Sequence, residues 1–265
     1  NVEVKTRPDG ALFGEPEKIS DLATVSSITA ADVDGDGKLD IHLVAEKTGL
    51  LLKAGSENQE TMKAILGAIL WGDVNDDGLV DMVACRDNGI FLNFQAVDAW
   101  RSEPISEGIP CNAGALFDAD HDGDLDVLAT GPRGTQLLIN NRDGTFRDIA
   151  ADVGILGDGG SQVLVADLDA DRDLDILIVG SGGNVIWQND RTWQYKLFPG
   201  LVDFKNTPMK SVTAGDVDAD GHQEIYGIDL SDNLLVWRFD GVHWGHKTIL
   251  SRREKSNGVS ELAIS

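Results

Sequence analysis

The sequence predicts an all-β fold, a β-propeller of four-stranded antiparallel blades, and three observations carry that expectation. A short acidic segment recurs five times, starting at Asp32, Asp73, Asp118, Asp167 and Asp216, at intervals of 41, 45, 49 and 49 residues. Such a period is the length of one propeller blade, roughly 40 to 50 residues. Each period also holds four short apolar or aromatic segments parted by Gly, Asn and Asp turns, the strand count of a blade. Helical periodicity is hardly visible anywhere.

The elements of a period follow in order. A first strand of small and apolar residues precedes the acidic segment, as at 64–70 and 163–166. A second strand follows it, at 41–45, 82–85, 127–130, 176–179 and 225–228. Runs this short and this apolar are strands covered on both faces. Turns come next, at Thr48-Gly49, Asp87-Asn88-Gly89, 131–134, 181–184 and Ser231-Asp232-Asn233, and lead to third strands such as 137–139 and 235–237. The fourth strand opens on an aromatic, Trp100, Phe146, Trp193 or Trp244, with Met62 in the first period. One aromatic per repeat packs between neighbouring sheets; a sugar-stacking platform would need them gathered on one exposed face.

On this pattern the chain is a single propeller domain with five complete blades, at about 21–60, 61–108, 109–156, 157–205 and 206–252. Residues 1–20 read as the last two strands of a partial blade, and 253–265 as the first strand of another. The expected whole is a six- or seven-bladed ring cut from a longer protein.

Charge is distributed with the same period. The 265 residues carry 22 Lys plus Arg against 45 Asp plus Glu, a net charge of −23. Twenty-two of the acids lie in segments 32–40, 73–81, 118–126, 167–175 and 216–224, and the other 23 nearly balance the bases. Carboxylates packed so closely repel one another unless a cation lies between them. A surface of this sign repels nucleic acid and anionic membranes. No run approaches the roughly 18 apolar residues of a membrane-spanning helix, so direct membrane insertion is not expected. Cys85 and Cys111 stand in apolar, strand-like surroundings, where unpaired Cys behaves as a small hydrophobe. They are read as two buried strand residues that never meet, with a disulfide as the alternative.

The first acidic segment, Asp32-Val33-Asp34-Gly35-Asp36-Gly37-Lys38-Leu39-Asp40, has the pattern D-x-D-x-D-G-x-x-D. Carboxylates at positions one, three and five converge if the backbone coils tightly. Glycine at six permits a left-handed turn, the Lys38 carbonyl adds an oxygen, and Asp40 closes the shell. Hard oxygen donors in a flexible loop suit Ca²⁺, and there is no Cys or His set for zinc. An EF-hand would need Glu at position twelve, where these segments have Leu43, Ala84, Ala129, Ile178 and Gly227.

Five such loops in phase with a four-strand repeat resemble the FG-GAP or VCBS repeat family, the calcium-binding propellers of integrin α subunits and many bacterial surface proteins. Asn140-Asn141-Arg142-Asp143-Gly144-Thr145-Phe146-Arg147-Asp148-Ile149 is similar to the VCBS repeats that accompany ASPIC/UnbV domains, and Phe13-Gly14 matches the family's Phe-Gly. The resemblance covers essentially the whole chain and implies up to five calcium ions. Carried over by position, the second loop offers Asp73, Asn75, Asp77, the Leu79 carbonyl and Asp81. The third offers Asp118, Asp120, Asp122, the Asp124 carbonyl and Asp126. In the fourth, Asp167, Asp169, Asp171, the Asp173 carbonyl and Asp175 surround Arg172, which stands where glycine belongs. The fifth offers Asp216, Asp218, Asp220, the His222 carbonyl and Glu224, with Gln223 in place of an apolar residue.

These features point to a binding module and not an enzyme. No nucleophile elbow, phosphate-cradling glycine loop or zinc motif occurs, and the paired carboxylates are accounted for by calcium. The expected role is an extracytoplasmic scaffold, where calcium is abundant, that binds a protein or glycan in adhesion. A propeller of the polysaccharide-lyase type and a structural spacer are the alternatives. Antiparallel strands put the acidic loops on one face and the second-to-third turns on the other. The varied residues of that other face, Arg86, Asp87, Asn88, Arg133, Asn184, Asp229 and Asp232, are the expected ligand-binding surface.

Overall fold

Every acidic segment joins the first two strands of a four-stranded antiparallel meander. A computed structural model describes residues 19–250 apart from 23, 26, 46–47, 56–58, 64–67, 97–98, 158, 181, 191, 199–200 and 240–243. The partial blades expected at 1–20 and 253–265 thus lie outside the described residues, save the unstructured Ile19 and Ser20.

The first blade comprises β1 (Ser27–Ala31), β2 (Asp40–Ala45), β3 (Thr48–Leu52) and β4 (Gln59–Lys63), so that β4 crosses the boundary expected at residue 60. The second comprises β5 (Ile69–Gly72), β6 (Asp81–Arg86), β7 (Gly89–Ala96) and β8 (Ala99–Glu107). The third comprises β9 (Ala113–Phe117), β10 (Asp126–Gly131), β11 (Gly134–Asn140) and β12 (Phe146–Asp148). In the fourth, β13 (Gln162–Ala166), β14 (Asp175–Val179), β15 (Val185–Asn189) and β16 (Tyr195–Leu197) lead to a five-residue helix, α1 (Val202–Asn206). The fifth comprises β17 (Met209–Gly215), β18 (Glu224–Asp229), β19 (Leu234–Phe239) and β20 (Trp244–Leu250). The described residues are all-β, with five four-stranded antiparallel blades in a propeller arrangement.

Period-two alternation explains the packing. Val127 and Ala129 of β10 turn toward the second blade, joining Val83, Ile90, Leu92 and Phe146 in one buried cluster. Leu128, between them, turns the other way to meet Ile176, Ile178 and Trp187 of the fourth blade. Leu177 and Val179 in turn face Val212, Ile225 and Trp237 of the fifth. A smaller cluster of Val44, Ile69, Met82 and Ala84 joins the first two blades. Second strands of the inner blades are therefore apolar through their middle, because each side meets a different neighbour, and all six residues of β10 are buried. Consecutive first strands touch, β1 to β5, β5 to β9, β9 to β13 and β13 to β17, which sets the acidic loops side by side.

The fourth-strand aromatics enter these clusters: Trp100 with Trp71 between the first and second blades, Phe146 between the second and third, Trp193 between the third and fourth and Trp244 between the fourth and fifth. Trp193 does not open its strand; it sits two residues before β16 with a left-handed φ of 58°. Polar side chains stitch the same seams. Asn140 Nδ2 donates to the Val74 carbonyl at 2.8 Å, and Gln162 pairs with both the N–H and the carbonyl of Val212.

One expectation is corrected. Cys85, in β6, and Cys111, in the link before β9, form a disulfide with a Cα–Cα distance of 4.9 Å. The Cys111 N–H donates to the Arg86 carbonyl at 3.1 Å, so the link runs back along β6 and brings the two thiols together. Both residues are buried, as their apolar setting implied; that setting is also compatible with pairing.

Candidate metal centres

The strand register positions each acidic loop. The last pair of every first hairpin sets the residue before the loop against the loop's ninth residue: Ala31 with Asp40, Gly72 with Asp81, Phe117 with Asp126, Ala166 with Asp175, Gly215 with Glu224. The ninth side chain thus lies at the mouth of the hairpin, between 0 and 2% exposed in all five blades.

Backbone donors then wire the loop. The first carboxylate accepts the N–H groups of positions five and six in all five loops, as in Asp36 and Gly37 to Asp32 at 3.0 and 2.8 Å. The fifth accepts the N–H of position seven, and the ninth that of position two, as in Val33 to Asp40 at 3.1 Å. In the first, third and fourth loops the ninth acid's other oxygen accepts an N–H from the end of the third strand: Ala54, Asn140 and Asn189, at 2.7, 2.8 and 2.9 Å. At Asp81 the corresponding Oδ1 is buried with no hydrogen-bond partner among the described residues.

The coil needs left-handed residues at two positions, not one. Position six has φ of 83° at Gly37, 83° at Gly78, 96° at Gly123, 80° at Arg172 and 92° at Gly221. Position four is left-handed as well, in Gly35, Asp76, His121, Ala170 and Ala219, at 57–72°. Sequence reading missed it because the residue type there varies, and Gly35 alone hinted at it. A left-handed non-glycine residue costs on the order of 1 kcal/mol. The fourth loop holds two, so Ala170→Gly and Arg172→Gly are each expected to stabilise the protein by about that amount. Urea midpoints that fall in both variants would show that these side chains support the loop.

Four loops bring carboxylate oxygens of three residues within 4.8 Å of one another: Asp32, Asp34 and Asp36; Asp118, Asp120 and Asp122; Asp167, Asp169 and Asp175; Asp216, Asp218 and Glu224. In the second loop the amide of Asn75 takes the third position among Asp73, Asp77 and Asp81. Burial, only partly offset by backbone hydrogen bonds, raises Asp81 and Asp126 to a pKa of about 6 and Asp175 to about 7. Asp120 and Asp169 are raised by burial and then by the neighbouring carboxylates. A buried acid, an orphaned carboxylate oxygen and like charges around one point form a donor set that suits a hard cation.

The opposite face carries the second-to-third turns and the links between blades, since the Arg133 guanidinium there donates to the Gly108 carbonyl at 3.0 Å. Asp87, Asn88 and Arg133 are exposed. Arg86 is half-buried with its guanidinium 4.3 Å from the centre of the Phe91 ring. Asn184 is 2% exposed and donates to the carbonyls of Phe204 and Thr207, so it anchors α1 and faces no solvent. Asp229 accepts from Ser231 and Asn233 within its own turn, and Asp232 pairs with Lys210. The acidic-loop face has a feature the sequence did not reveal. A cleft of about 210 Å³ between the second and third blades is lined by Val74, Asn75, Asp124, Asn140, Arg142 and Phe146. In it the Arg142 guanidinium lies on the Asp124 carboxylate and the Asp122 carbonyl.

Fold and loops together define the class: a repeat β-propeller whose blades each carry an acidic first hairpin. Residues 118–178 and 167–227 match the FG-GAP-like repeat, each match running from one acidic loop to the second strand of the next blade. The described residues form a β-propeller, and residues 118–227 of it are FG-GAP-like repeats. No curated protein matches the chain in sequence. Among solved structures it is similar to a lectin of Agrocybe aegerita described by its recognition of non-reducing terminal N-acetylglucosamine. The TM-score is 0.60 at 17% identity, over 90% of this chain and 69% of the lectin. It is also similar to BBS1N, solved in complex with ARL6DN after soaking with lead or mercury. There the TM-scores are 0.57 and 0.59 at 11% identity, over 84% of this chain and 66% and 68% of the other. At such identities the likeness is one of fold.

Proposed function

We propose that this propeller is a calcium-braced binding scaffold that works outside the cytoplasm and performs no catalysis. The observation that carries the reading is the buried ninth acid, repeated at the same register in all five blades and left with an orphaned oxygen at Asp81. Calcium would be held by carboxylates at positions one, three, five and nine with the carbonyl of position seven, and would supply the positive charge that these loops otherwise lack. Binding as the role fits an FG-GAP propeller, a fold similar to a lectin and to a protein that engages a protein partner. The Cys85–Cys111 disulfide fits an oxidising compartment. No helix among the described residues is long and apolar enough to cross a membrane.

The partner is a protein or a glycan, and its surface is the face of the second-to-third turns, where Asp87, Asn88 and Arg133 remain available. The cleft at Arg142 favours a second site for a small polar ligand on the loop face, because concave pockets with a few convergent polar groups are where such ligands bind. A glycan array and a pull-down with the calcium-loaded protein test both. Asp87→Ala, Asn88→Ala and Arg133→Ala combined should abolish capture at least tenfold while Arg142→Ala leaves it intact. Loss with Arg142→Ala alone would move recognition to the cleft, and a protein that captures nothing in either assay would leave the spacer reading in its place.

A further inference from the structure

The fifth loop differs from the others in what faces its closing acid. Fourteen residues after the ninth position, the first, third and fourth blades use the N–H groups of Ala54, Asn140 and Asn189 to hold the acid's free oxygen. The fifth blade has Arg238 at that position, and its guanidinium faces Glu224 Oε1 at 3.9 Å and Asp218 Oδ2 at 3.3 Å. The other Glu224 oxygen accepts from the Val217 N–H and the Tyr226 hydroxyl, both at 3.1 Å. Glutamate in place of aspartate carries the carboxylate one methylene further out, toward this cation. Asp218 and Glu224 are two of the three residues whose oxygens gather in this loop.

We propose that Arg238 is the built-in cation of the fifth loop and that this loop takes no calcium. A guanidinium is planar, permanently charged and shaped to meet carboxylates, so it can neutralise positions three and nine from beside the gathered oxygens. A calcium ion must approach its oxygens to roughly 2.3 to 2.6 Å, which the guanidinium and the ion cannot both do. Cations near the other loops leave the closing acid alone. Lys38 and Lys53 reach Asp36 and Asp34 at 2.7 and 3.9 Å, while Asp40 is held by backbone N–H groups. Arg142 rests on Asp124 and the Asp122 carbonyl, with the Asp122 carboxylate at 3.6 Å, while Asp126 keeps its two backbone donors.

This rests on the calcium reading of the other four loops, and counting ions separates the two. Elemental analysis of the folded chain after dialysis against excess calcium is expected to give four ions. Arg238→Ala should give five, and Arg238→Ala with Asp216→Asn should return the count to four. Arg238 is largely exposed, so its removal does not open the core. Five ions in the wild type, or an unchanged count in Arg238→Ala, would overturn this proposal alone. No ions in the wild type would overturn the calcium reading and the proposal with it.

Discussion

Chelation at neutral pH is expected to unfold this propeller or bring it close to unfolding. Each calcium site adds about 2.7 kcal/mol when the free ion is at 100 times its dissociation constant. Four sites together amount to on the order of 10 kcal/mol, comparable with the whole stability of a typical domain. Acidification should then act with opposite sign on the two forms. Asp81, Asp126 and Asp175 have folded-state pKa values of about 6, 6 and 7, above their unfolded value of 3.8. Between the unfolded and folded values the folded state binds more protons, so metal-free stability rises as pH falls from 7 toward 4. The calcium-loaded form moves the other way over the same window, because protons compete with the ion for the same carboxylates. Thermal melts from pH 7 to 4, with and without chelator, check both statements. Parallel pH profiles, or a midpoint indifferent to chelator, would refute the metal reading of the loops.

Removal of the disulfide is the second large effect. Cys85 and Cys111 are 26 residues apart, and closing a loop of that size corresponds to about 3.5 kcal/mol through the unfolded chain. The Cys85→Ala and Cys111→Ala double variant is therefore expected to lose that much in a urea titration, with a steeper slope because the uncrosslinked unfolded chain exposes more surface. Hydrogen exchange should accelerate first in the link at 108–113, whose N–H groups at Gly108, Cys111 and Asn112 tie it to Asn88 and Arg86 of the second blade and Thr130 of the third. A double variant as stable as the parent would mean that backbone bonds and the apolar cluster hold this seam unaided.

The repeat, the strand order and the acidic loops were legible because each depends on local chemistry repeated five times. Asp32 and its four counterparts mark the first hairpin, and the apolar runs after them are buried second strands. What was not legible depends on contacts between distant segments. The pairing of Cys85 with Cys111 requires knowing that a link folds back along β6. Asn184 lies in a Ser-Gly-Gly-Asn turn that reads as exposed, yet α1 covers it, and five helical residues are too few to show a period. The left-handed fourth loop position is set by the coil and not by residue type, so Ala170 and Ala219 give no sign of it. Arg238 stands fourteen residues after Glu224, and only the pairing of β18 with β19 shows that this position faces the loop.

The buried clusters each join adjacent blades only, and this governs how the molecule tolerates change. An assembly coupled through nearest neighbours responds to a weak unit locally, and the units on either side can carry it. A loop whose residues depart from the common pattern, as the fourth does at Arg172 and the fifth at Arg238, alters one hairpin while its second strand stays clamped by the neighbouring blade's apolar side chains. Such an architecture lets individual repeats diverge singly. Variation can therefore accumulate blade by blade without the cooperative collapse that a single shared core would impose.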